Sequence, residues 1–396
     1  MGSSQVLLTA AQVAARSSIE RVLPSRPRTA QHVPRSAADL TDEWLTAVLC
    51  RDVPGARVVG HEVHGGSDGT SSRRALTVAY DEAGTRAGLP TALFAKSAAS
   101  FQSRLFLVLG GVTESETIFY RDIRPELDRL RSPRAFHAAS DRRRYRSIVL
   151  MEDLAVEGWS FPDPMSESLS LADAEAMVDQ MAYYHAAYWG DPRLEQRFGL
   201  PTTEAFQERL NGLGIEKRAL VGIERARDLT PERLRRRESE LLPAVMRSLR
   251  RNSAGTQTLL HQDVHQGNWM RDPSGRLGLY DWQAVARGEW ALDVSYALAV
   301  NLAVEDRRAW ERGLLERYLQ RLGDEGVAAP PSFDGAWLRY RQQPFHVVVF
   351  ALMTIGAGRL QPDMQPRDYM RRCWHRIATF VDDHESLDAL DEADRA

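Results

Sequence analysis

The chain has 396 residues, of which 43% are hydrophobic and 27% are charged. This length is enough for two folded domains, each with its own apolar core. The formal net charge of -3 excludes the strong basic excess by which proteins capture nucleic acids, so we expect no nucleic acid partner.

Cysteine use and hydropathy indicate a cytoplasmic protein. The two cysteines, Cys50 and Cys373, are far apart in the sequence and show no disulfide or zinc pattern. No run of about 18 apolar residues is present to span a membrane, and the N-terminus lacks the basic and apolar regions of a signal peptide. We therefore expect no membrane partner.

Residues 1–37 are predicted to form an N-terminal arm, in which a helical stretch at 7–22 is followed by spaced prolines. The next helix begins after Thr41, because a threonine side chain caps the free N–H groups of a first helical turn. This helix opens the first domain, which we place at residues 38–152. The apolar face of this helix consists of Trp44, Leu45, Val48 and Leu49.

Three strand-like runs follow, at residues 56–63, 75–80 and 91–95. The segment 65–73 between the first two is rich in glycine and hydroxyl side chains, which let backbone N–H groups approach phosphates closely. A plain surface hairpin is the alternative for such a segment. The residues that could contact phosphates are Gly66, Ser67, Gly69 and Thr70.

Lys96 directly follows the third run, where an ammonium group is costly to bury without a partner or a phosphate. Glu116 lies twenty residues later in a predicted helix and could pair with it, although Glu114 is a rival for that role. The alternative is that Lys96 reaches solvent and Glu116 lies on an exposed helix face.

Residues 147–154 predict a buried strand that leads to a hinge between the domains. Backbone groups there could hydrogen-bond the edge of an adenine, and the residues concerned are Glu152, Asp153 and Leu154. The second domain is placed at residues 153–396. It is expected to contain an amphipathic helix over 171–189 and a further helix that starts at Thr230-Pro231 and continues to about residue 250.

A polar stretch of the second domain carries three side chains suited to phosphoryl transfer. Asp263 could orient and deprotonate a hydroxyl group, while Asn268 and Asp281 carry the hard oxygen ligands that Mg²⁺ prefers. Turn chemistry at residues 272–275 and an apolar run at 277–280 predict a hairpin that brings Asp281 back beside Asn268.

The pattern His-x-Asp-x-x-x-x-Asn at residues 261–268, followed by Asp-Trp-Gln at residues 281–283, resembles motifs of the aminoglycoside phosphotransferase-like kinases. The ecdysteroid-kinase-like and choline-kinase-like branch is the closer variant. The family often has Gly and Pro where this chain has Gln262 and Gln266. The resemblance implies an α+β, bilobal protein-kinase-like fold, with a small antiparallel-sheet N-lobe and a larger, mainly helical C-lobe.

The resemblance also implies residue roles in the second domain. Asp263 would be the catalytic base, Asn268 and Asp281 would bind the metal, and His261 would stabilise the loop. The run at 288–297 resembles the helix entry of the family, in which Asp293 would be an N-terminal cap or a hydrogen-bonding anchor of the catalytic loop.

For the first domain, the resemblance implies that Lys96 contacts the α- and β-phosphates of the nucleotide and that Glu116 positions Lys96.

In the second domain, His265 would be a loop residue near the acceptor or the metal. The nucleotide would be ATP or GTP, with Mg²⁺ as the cofactor.

Three hypotheses follow for the function. The leading one is a Mg²⁺-dependent kinase that moves the γ-phosphoryl group of ATP or GTP to a small-molecule hydroxyl. The second is a metallohydrolase that uses His261, Asp263 and His265, whose alternate spacing would place them on one face of a strand. The third is a catalytically silent nucleotide-binding protein.

The acceptor stays open at this point. No dense acidic cluster indicates an aminoglycoside, and the aromatic residues of the second domain suit a macrolide, sterol-like or other natural-product alcohol at least as well. A peptide or protein hydroxyl is a further alternative.

Overall fold

The protein divides into two compact units. The first unit comprises Met1–Asp128 and Pro133–Trp159, and the second comprises Arg129–Ser132 and Ser160–Ala396. The sequence places the starts of the two functional domains at residues 38 and 153, and these boundaries remain a prediction. The computed structural model describes residues 3–22, 26–68, 71–98, 101–163, 165, 168–358 and 365–392.

Helices account for most of the regular structure. In chain order, the α-helices of the described residues are α1 (Ser3–Val22), α2 (Asp42–Leu49), α3 (Glu82–Arg86), α4 (Phe101–Gly110), α5 (Ser115–Ile118), α6 (Leu171–Ala187), α7 (Arg193–Gln196), α8 (Thr203–Asn211), α9 (Ile215–Arg225), α10 (Glu232–Arg235), α11 (Glu238–Ala254), α12 (Ala291–Asn301), α13 (Val304–Asp324), α14 (Phe333–Gln342), α15 (Phe345–Ile355), α16 (Arg367–Asp383) and α17 (Ser386–Ala389).

Strands are concentrated in the first unit. In chain order, the strands of the described residues are β1 (Val58–Asp68), β2 (Ser72–Tyr80), β3 (Ala92–Ser97), β4 (Ala135–Asp141), β5 (Arg146–Glu152), β6 (Thr258–Leu260), β7 (Trp269–Arg271), β8 (Leu277–Leu279) and β9 (Ala286–Gly288).

The described strands of the first unit form one five-stranded sheet in the order β1-β2-β3-β5-β4. Every neighbouring pair in this sheet is antiparallel. The predicted α+β class is confirmed, since the second unit is mainly helical and its described strands form only two short two-stranded ladders. The runs predicted at 56–63, 75–80, 91–95 and 147–154 fall in β1, β2, β3 and β5, whereas β4 was not predicted.

Helix α2 covers one face of this sheet, as the sequence predicts. The Thr41 side chain accepts a hydrogen bond from the Trp44 N–H at 3.1 Å and so caps the first turn. Trp44 and Leu45 are fully buried in a core shared with residues of β2, β3 and β5. Burial of each such side chain stabilises the fold by roughly 2 kcal/mol. Because this packing holds α2 against the sheet, the covered face is closed to ligands.

Helix α1 is joined to the rest of the first unit by a buried ionic cluster. Glu20 accepts hydrogen bonds from Arg104 on α4 at 2.7 Å and from Arg146 on β5 at 3.0 Å. All three residues are less than a tenth exposed. Because an uncompensated buried charge is costly, this carboxylate holds α1 against two elements of the unit.

The second unit is built around long helices. Helix α6 starts with a capping box, in which the Ser170 side chain and the Asp173 side chain satisfy each other's backbone N–H groups. The helical stretch predicted from Thr230 to about residue 250 is present as two helices, α10 and α11, which are separated at residues 236–237. In the described part of the chain, no helix combines the length and apolar character needed to cross a membrane.

Candidate active site

The polar loop, which we define as residues 261–268, follows strand β6 and leads into β7. Within it, Asp263 is held at both carboxylate oxygens. The Tyr296 hydroxyl donates to Oδ1 at 3.0 Å, and the Asn268 amide nitrogen donates to Oδ2 at 3.1 Å. The Asp263 side chain is nevertheless one third exposed. A carboxylate that is fixed in orientation and open to solvent can accept a proton from a bound hydroxyl group.

Asn268 ends the polar loop, and its amide orientation follows from its hydrogen bonds. Its nitrogen donates to the backbone oxygen of Asp263 at 2.7 Å as well as to the carboxylate. Because both contacts are to acceptors, the nitrogen faces Asp263 and the amide oxygen is on the other side of the group. That oxygen is suited to bind a hard cation.

The predicted hairpin is present and places Asp281 next to Asn268. Strands β7 and β8 pair from Trp269 opposite Leu279, and the Tyr280 N–H donates to the Asn268 carbonyl at 3.0 Å. Asp281 directly follows Tyr280, the residue that makes this contact with Asn268. Since both side chains carry oxygen donors, the residues present fit a Mg²⁺ site.

The turn of the hairpin also follows the prediction. Gly275 has a φ of +81 and its N–H donates to the Asp272 carbonyl at 2.8 Å. The Asp272 carboxylate accepts from the N–H groups of Ser274 and Arg276. Burial raises the pKa of this carboxyl, but its hydrogen bonds outweigh burial and lower the pKa to about 2. The turn is thus stabilised by a residue that remains ionised near neutral pH.

Two residues of this region, Gln262 and Asp281, adopt the left-handed backbone conformation with φ of 65. This conformation costs a residue other than glycine roughly 1 kcal/mol. The glycine that the family often has in place of Gln262 would adopt it without strain. In this chain, the Gln262 side chain donates to the Ala284 carbonyl at 2.7 Å, which offsets part of the cost.

His261 connects the polar loop to the hairpin. Its Nε2 donates to the Tyr280 carbonyl at 3.0 Å, and its Nδ1 accepts the Asp263 N–H at 3.2 Å. The ring is fully buried, and burial lowers its pKa, so it is neutral in this position. His261 therefore holds both the proposed base and the residue before Asp281.

This arrangement argues against the metallohydrolase hypothesis. Both ring nitrogens of His261 are engaged in hydrogen bonds, so neither has a lone pair to offer a metal without rearrangement. Across the part of the chain that the structure describes, no group of three His, Cys, Asp or Glu side chains is arranged to hold a metal ion. That Asn268 and Asp281 bind a metal remains a prediction.

Asp293, the third residue of α12, anchors the start of the polar loop. Its carboxylate accepts the N–H groups of His261 at 2.8 Å and Gln262 at 2.9 Å, and the Tyr184 hydroxyl at 2.8 Å. Burial raises the pKa of this carboxyl, but the nearby His185 and His261 rings and the His261 backbone N–H outweigh burial and lower the pKa overall. Of the two roles considered for Asp293, the hydrogen bonds correspond to the loop anchor.

His265 lies beside Asp263 but not in hydrogen-bonding contact with it. Its Nε2 is 3.7 Å from the Asp263 Oδ1, while its Nδ1 accepts the Gly267 N–H at 3.0 Å. A Cβ at Gly267 would lie 2.9 Å from the His265 ring, so this contact requires glycine. The ring also meets Tyr369 edge-on, with centroids 6.4 Å apart.

In the first unit, Lys96 and Glu116 form a buried ion pair. The Lys96 Nζ is 2.7 Å from the Glu116 Oε1, and the two side chains are 6% and 11% exposed. The rival carboxylate, Glu114, pairs instead with Arg142. The contact therefore selects Glu116 as the residue that positions the lysine.

The glycine-rich segment is mostly strand. The loop expected over residues 65–73 is shorter than predicted, because β1 continues to residue 68 and β2 begins at residue 72. Gly66 has a φ of +127, and a Cβ there would lie 1.9 Å from the Arg73 carbonyl oxygen. Ser67 pairs with Arg73 in the ladder. Gly69 and Thr70 lie outside the described residues.

The candidate adenine-binding residues lie at the end of β5. The Glu152 carboxylate accepts from the Arg134 Nε at 2.7 Å and from its backbone N–H at 2.9 Å. The Asp153 carboxylate accepts the Ala155 N–H at 3.1 Å, and Leu154 is buried. These side chains stabilise the local chain, so any contact with a base would involve backbone groups.

Sequence reasoning missed Tyr296 and Tyr184. Each is a buried aromatic residue in a largely apolar helix, which is typical of core residues. The one available signal is the spacing of three between Asp293 and Tyr296, which places them near each other on α12.

Comparisons with solved structures find distant similarity. The choline kinase LicA from Streptococcus pneumoniae is 15% identical, with 82% of this chain and 94% of that chain covered and a TM-score of 0.44. The macrolide 2'-phosphotransferase MphH from Brachybacterium faecium is 14% identical, with 78% and 93% covered and a TM-score of 0.41. A Plasmodium vivax ethanolamine kinase is 10% identical, with 94% and 95% covered and a TM-score of 0.46.

The sequence itself identifies the family. No curated protein matches the chain significantly. The sequence model of the ecdysteroid kinase-like family matches residues 93–326, which is more than half of the 396 residues. The matched segment includes Lys96, Glu116 and all of the polar loop. The predicted relationship is confirmed, and the chain belongs to the ecdysteroid kinase-like family.

Proposed function

We propose that this protein is a Mg²⁺-dependent kinase that transfers the γ-phosphoryl group of ATP or GTP to a hydroxyl group of a small molecule. The observation that carries the proposal is the geometry around Asp263, whose oxygens are held by Asn268 and Tyr296 while the hairpin returns Asp281 to Asn268. Membership of the kinase-like family supports it.

The proposed reaction involves one proton transfer and one phosphoryl transfer. The acceptor hydroxyl gives its proton to the Asp263 carboxylate, and its oxygen forms a bond to the γ-phosphorus. The bond between that phosphorus and the β–γ bridging oxygen breaks, and the nucleoside diphosphate leaves with the electron pair. Asp263 contributes mainly by orienting the hydroxyl group, as expected for a loose transition state.

Asn268 and Asp281 would hold the metal. When bound, Mg²⁺ supplies positive charge that offsets the phosphate charge. The residues of this chain provide two oxygen ligands on adjoining parts of one hairpin, and the Asn268 nitrogen keeps the Asp263 carboxylate next to them.

Lys96 would contact the phosphates of the donor. Glu116 fixes the ammonium group at 2.7 Å, so little side-chain entropy is lost when a phosphate binds. The low exposure of the pair strengthens its electrostatic interactions relative to those in water.

The acceptor is proposed only as a molecule with a free hydroxyl group. A macrolide, a sterol-like alcohol, an aminoglycoside and a peptide hydroxyl would all satisfy the chemistry at Asp263. A panel of these acceptors, with release of nucleoside diphosphate as the signal, would separate a kinase from a protein that binds nucleotide without turnover.

Calorimetric titration tests the donor site without knowledge of the acceptor. The wild type would be titrated with ATP and with GTP, each with and without Mg²⁺. We expect metal-dependent binding in the micromolar to millimolar range that is ordinary for enzyme sites. Asp281→Asn should weaken the Mg²⁺-dependent part of binding, whereas Asp263→Asn should bind the nucleotide like the wild type.

Asp324→Asn is a suitable control, because Asp324 is half-exposed and pairs only loosely with Arg321 at 3.5 Å. Lack of nucleotide binding by the folded wild type under all four conditions would refute the proposed donor site. With a competent acceptor, equal turnover by the wild type, Asp263→Asn and Asp281→Asn would refute the proposed roles.

A further inference from the structure

The register of the first sheet places a second cationic residue beside Lys96. In the antiparallel ladder between β2 and β3, Arg73 is the direct partner of Lys96. Side chains of directly paired residues point to the same face and have Cβ atoms roughly 5 Å apart. Arg73 is therefore the cross-strand neighbour of the lysine that we propose to contact phosphate.

This face of the sheet is the one opposite α2. Leu76 and Val78 of β2 belong to the core that α2 covers. Because side chains alternate along a strand, Arg73 lies on the other face of β2. On β3, the core residues Leu93 and Ala95 likewise place Lys96 on that other face.

The same face has an apolar region next to its cationic end. Phe94 lies two residues before Lys96 on the same side of β3 and pairs with Met151 of β5. Lys96 itself lies between Arg73 on one neighbouring strand and Val149 on the other. An apolar surface followed by two cations matches a ligand with a flat base and several phosphates.

A buried hydroxyl group lies two residues before Arg73 and is compatible with an anion at this end of β2. Ser71 is 3% exposed, and its Oγ has no hydrogen-bond partner among the described residues. A buried hydroxyl without an acceptor is costly, and a phosphate oxygen would satisfy it. The backbones of β1 and β2 are also close together here, because a side chain at Gly66 would collide with the Arg73 carbonyl.

We propose that Arg73 is a second phosphate-binding residue, which contacts the β- or γ-phosphate of the bound nucleotide together with Lys96. The inference rests on the proposed function, since it assigns a residue to the same donor site. A phosphate bound by Lys96 would lie beside the Arg73 side chain, because the two residues are direct partners in the ladder. The guanidinium group carries a permanent positive charge that attracts phosphate oxygens.

The neighbouring arginine offers a matched control. Arg74 is the next residue of β2 and lies on the face that α2 covers, where it pairs with Ala95 of the core. Its Nη1 donates to the Arg73 carbonyl at 2.8 Å. Arg73→Gln and Arg74→Gln remove the same charge from the same strand but from opposite faces.

The experiment is calorimetric titration of the full chain with ATP, ADP and adenosine in the presence of Mg²⁺. We expect Arg73→Gln to weaken ATP binding by about tenfold or more, the usual effect of losing a charge-assisted hydrogen bond. A contact with the β-phosphate would weaken ADP binding by a similar factor, whereas a contact with the γ-phosphate would leave ADP binding unchanged. Adenosine binding should stay within about twofold of the wild type, and Arg74→Gln should bind all three ligands like the wild type.

The outcomes separate this inference from the proposed function. If the wild type binds ATP and Arg73→Gln binds it equally well, the assignment of Arg73 is overturned and the donor site stands. The assignment is also overturned if Arg73→Gln loses as much affinity for adenosine as for ATP, or if Arg74→Gln loses as much affinity for ATP as Arg73→Gln does. Either result would mean that the substitution disturbs the fold of β2 and does not remove a phosphate contact. If the wild type binds none of the ligands, the proposed function itself fails.

Arg73→Lys guards against a folding defect. Thermal unfolding would show whether each variant is folded. We expect the lysine variant to retain most of the ATP affinity, because it keeps a positive charge at the same position. A loss as large as that in Arg73→Gln would show that the charge is not what binds the nucleotide, and would overturn the proposal.

Discussion

Substitution of Asp293 by asparagine tests how the polar loop is held in place. The carboxylate of Asp293 is fully buried and accepts three hydrogen bonds, from the N–H groups of His261 and Gln262 and from the Tyr184 hydroxyl. Asparagine has one oxygen and one NH₂ group in place of two oxygens. Whichever way the asparagine amide is turned, its NH₂ group faces the N–H of His261 or the N–H of Gln262. That backbone N–H then has no acceptor.

The size of the effect follows from these contacts. A buried donor that loses its acceptor costs about 1–3 kcal/mol, and the remaining hydrogen bonds are weaker because they no longer involve a charge. We therefore expect Asp293→Asn to lower the free energy of unfolding by about 3 kcal/mol. The measurement is urea denaturation at pH 7, with the slope against urea compared between variants.

The control is Asp324→Asn, since the half-exposed Asp324 side chain should change stability by no more than about 0.5 kcal/mol. We also expect turnover by Asp293→Asn to fall, because the polar loop begins at the residues that Asp293 holds. A loss of stability below about 1 kcal/mol in Asp293→Asn would refute the reasoning that this carboxylate anchors the loop.

Three further predictions follow from buried polar groups. Tyr296→Phe removes the hydroxyl that orients Asp263 and should lower kcat about tenfold with unchanged ATP affinity, as measured by initial rates and calorimetry; an unchanged kcat would contradict a positioning role. Glu20→Gln leaves two buried arginines without their carboxylate and should lower the free energy of unfolding by about 3 kcal/mol in urea denaturation; a loss below about 1 kcal/mol would contradict this. Burial lowers the pKa of His346 from 6.5 to about 4, so the unfolded chain binds more protons and stability falls as the pH drops through this range. His346→Asn should reduce the stability difference between pH 7 and pH 5 by about 2 kcal/mol, and an unchanged difference would show that this histidine does not contribute.

Local chemistry explains the parts of the fold that could be predicted from the sequence. The α2 cap at Thr41 and the turn at Gly275 each depend on residues that are close in the chain. The hairpin that brings Asp281 to Asn268 follows from the same turn and from the apolar run after it. Strand β4 could not be predicted, because Ala138 is its one buried residue and no apolar run marks it.

The sequence by itself determined the family, the α+β class and the residues of the polar loop, because these depend on short motifs and on the period of apolar residues. Only the tertiary structure decided the partners of those residues. Tyr296 reaches Asp263 from a helix 33 residues further along the chain, and Arg73 is placed opposite Lys96 by the register of two strands. Such contacts depend on packing and strand pairing between distant segments, which no local pattern in the sequence specifies.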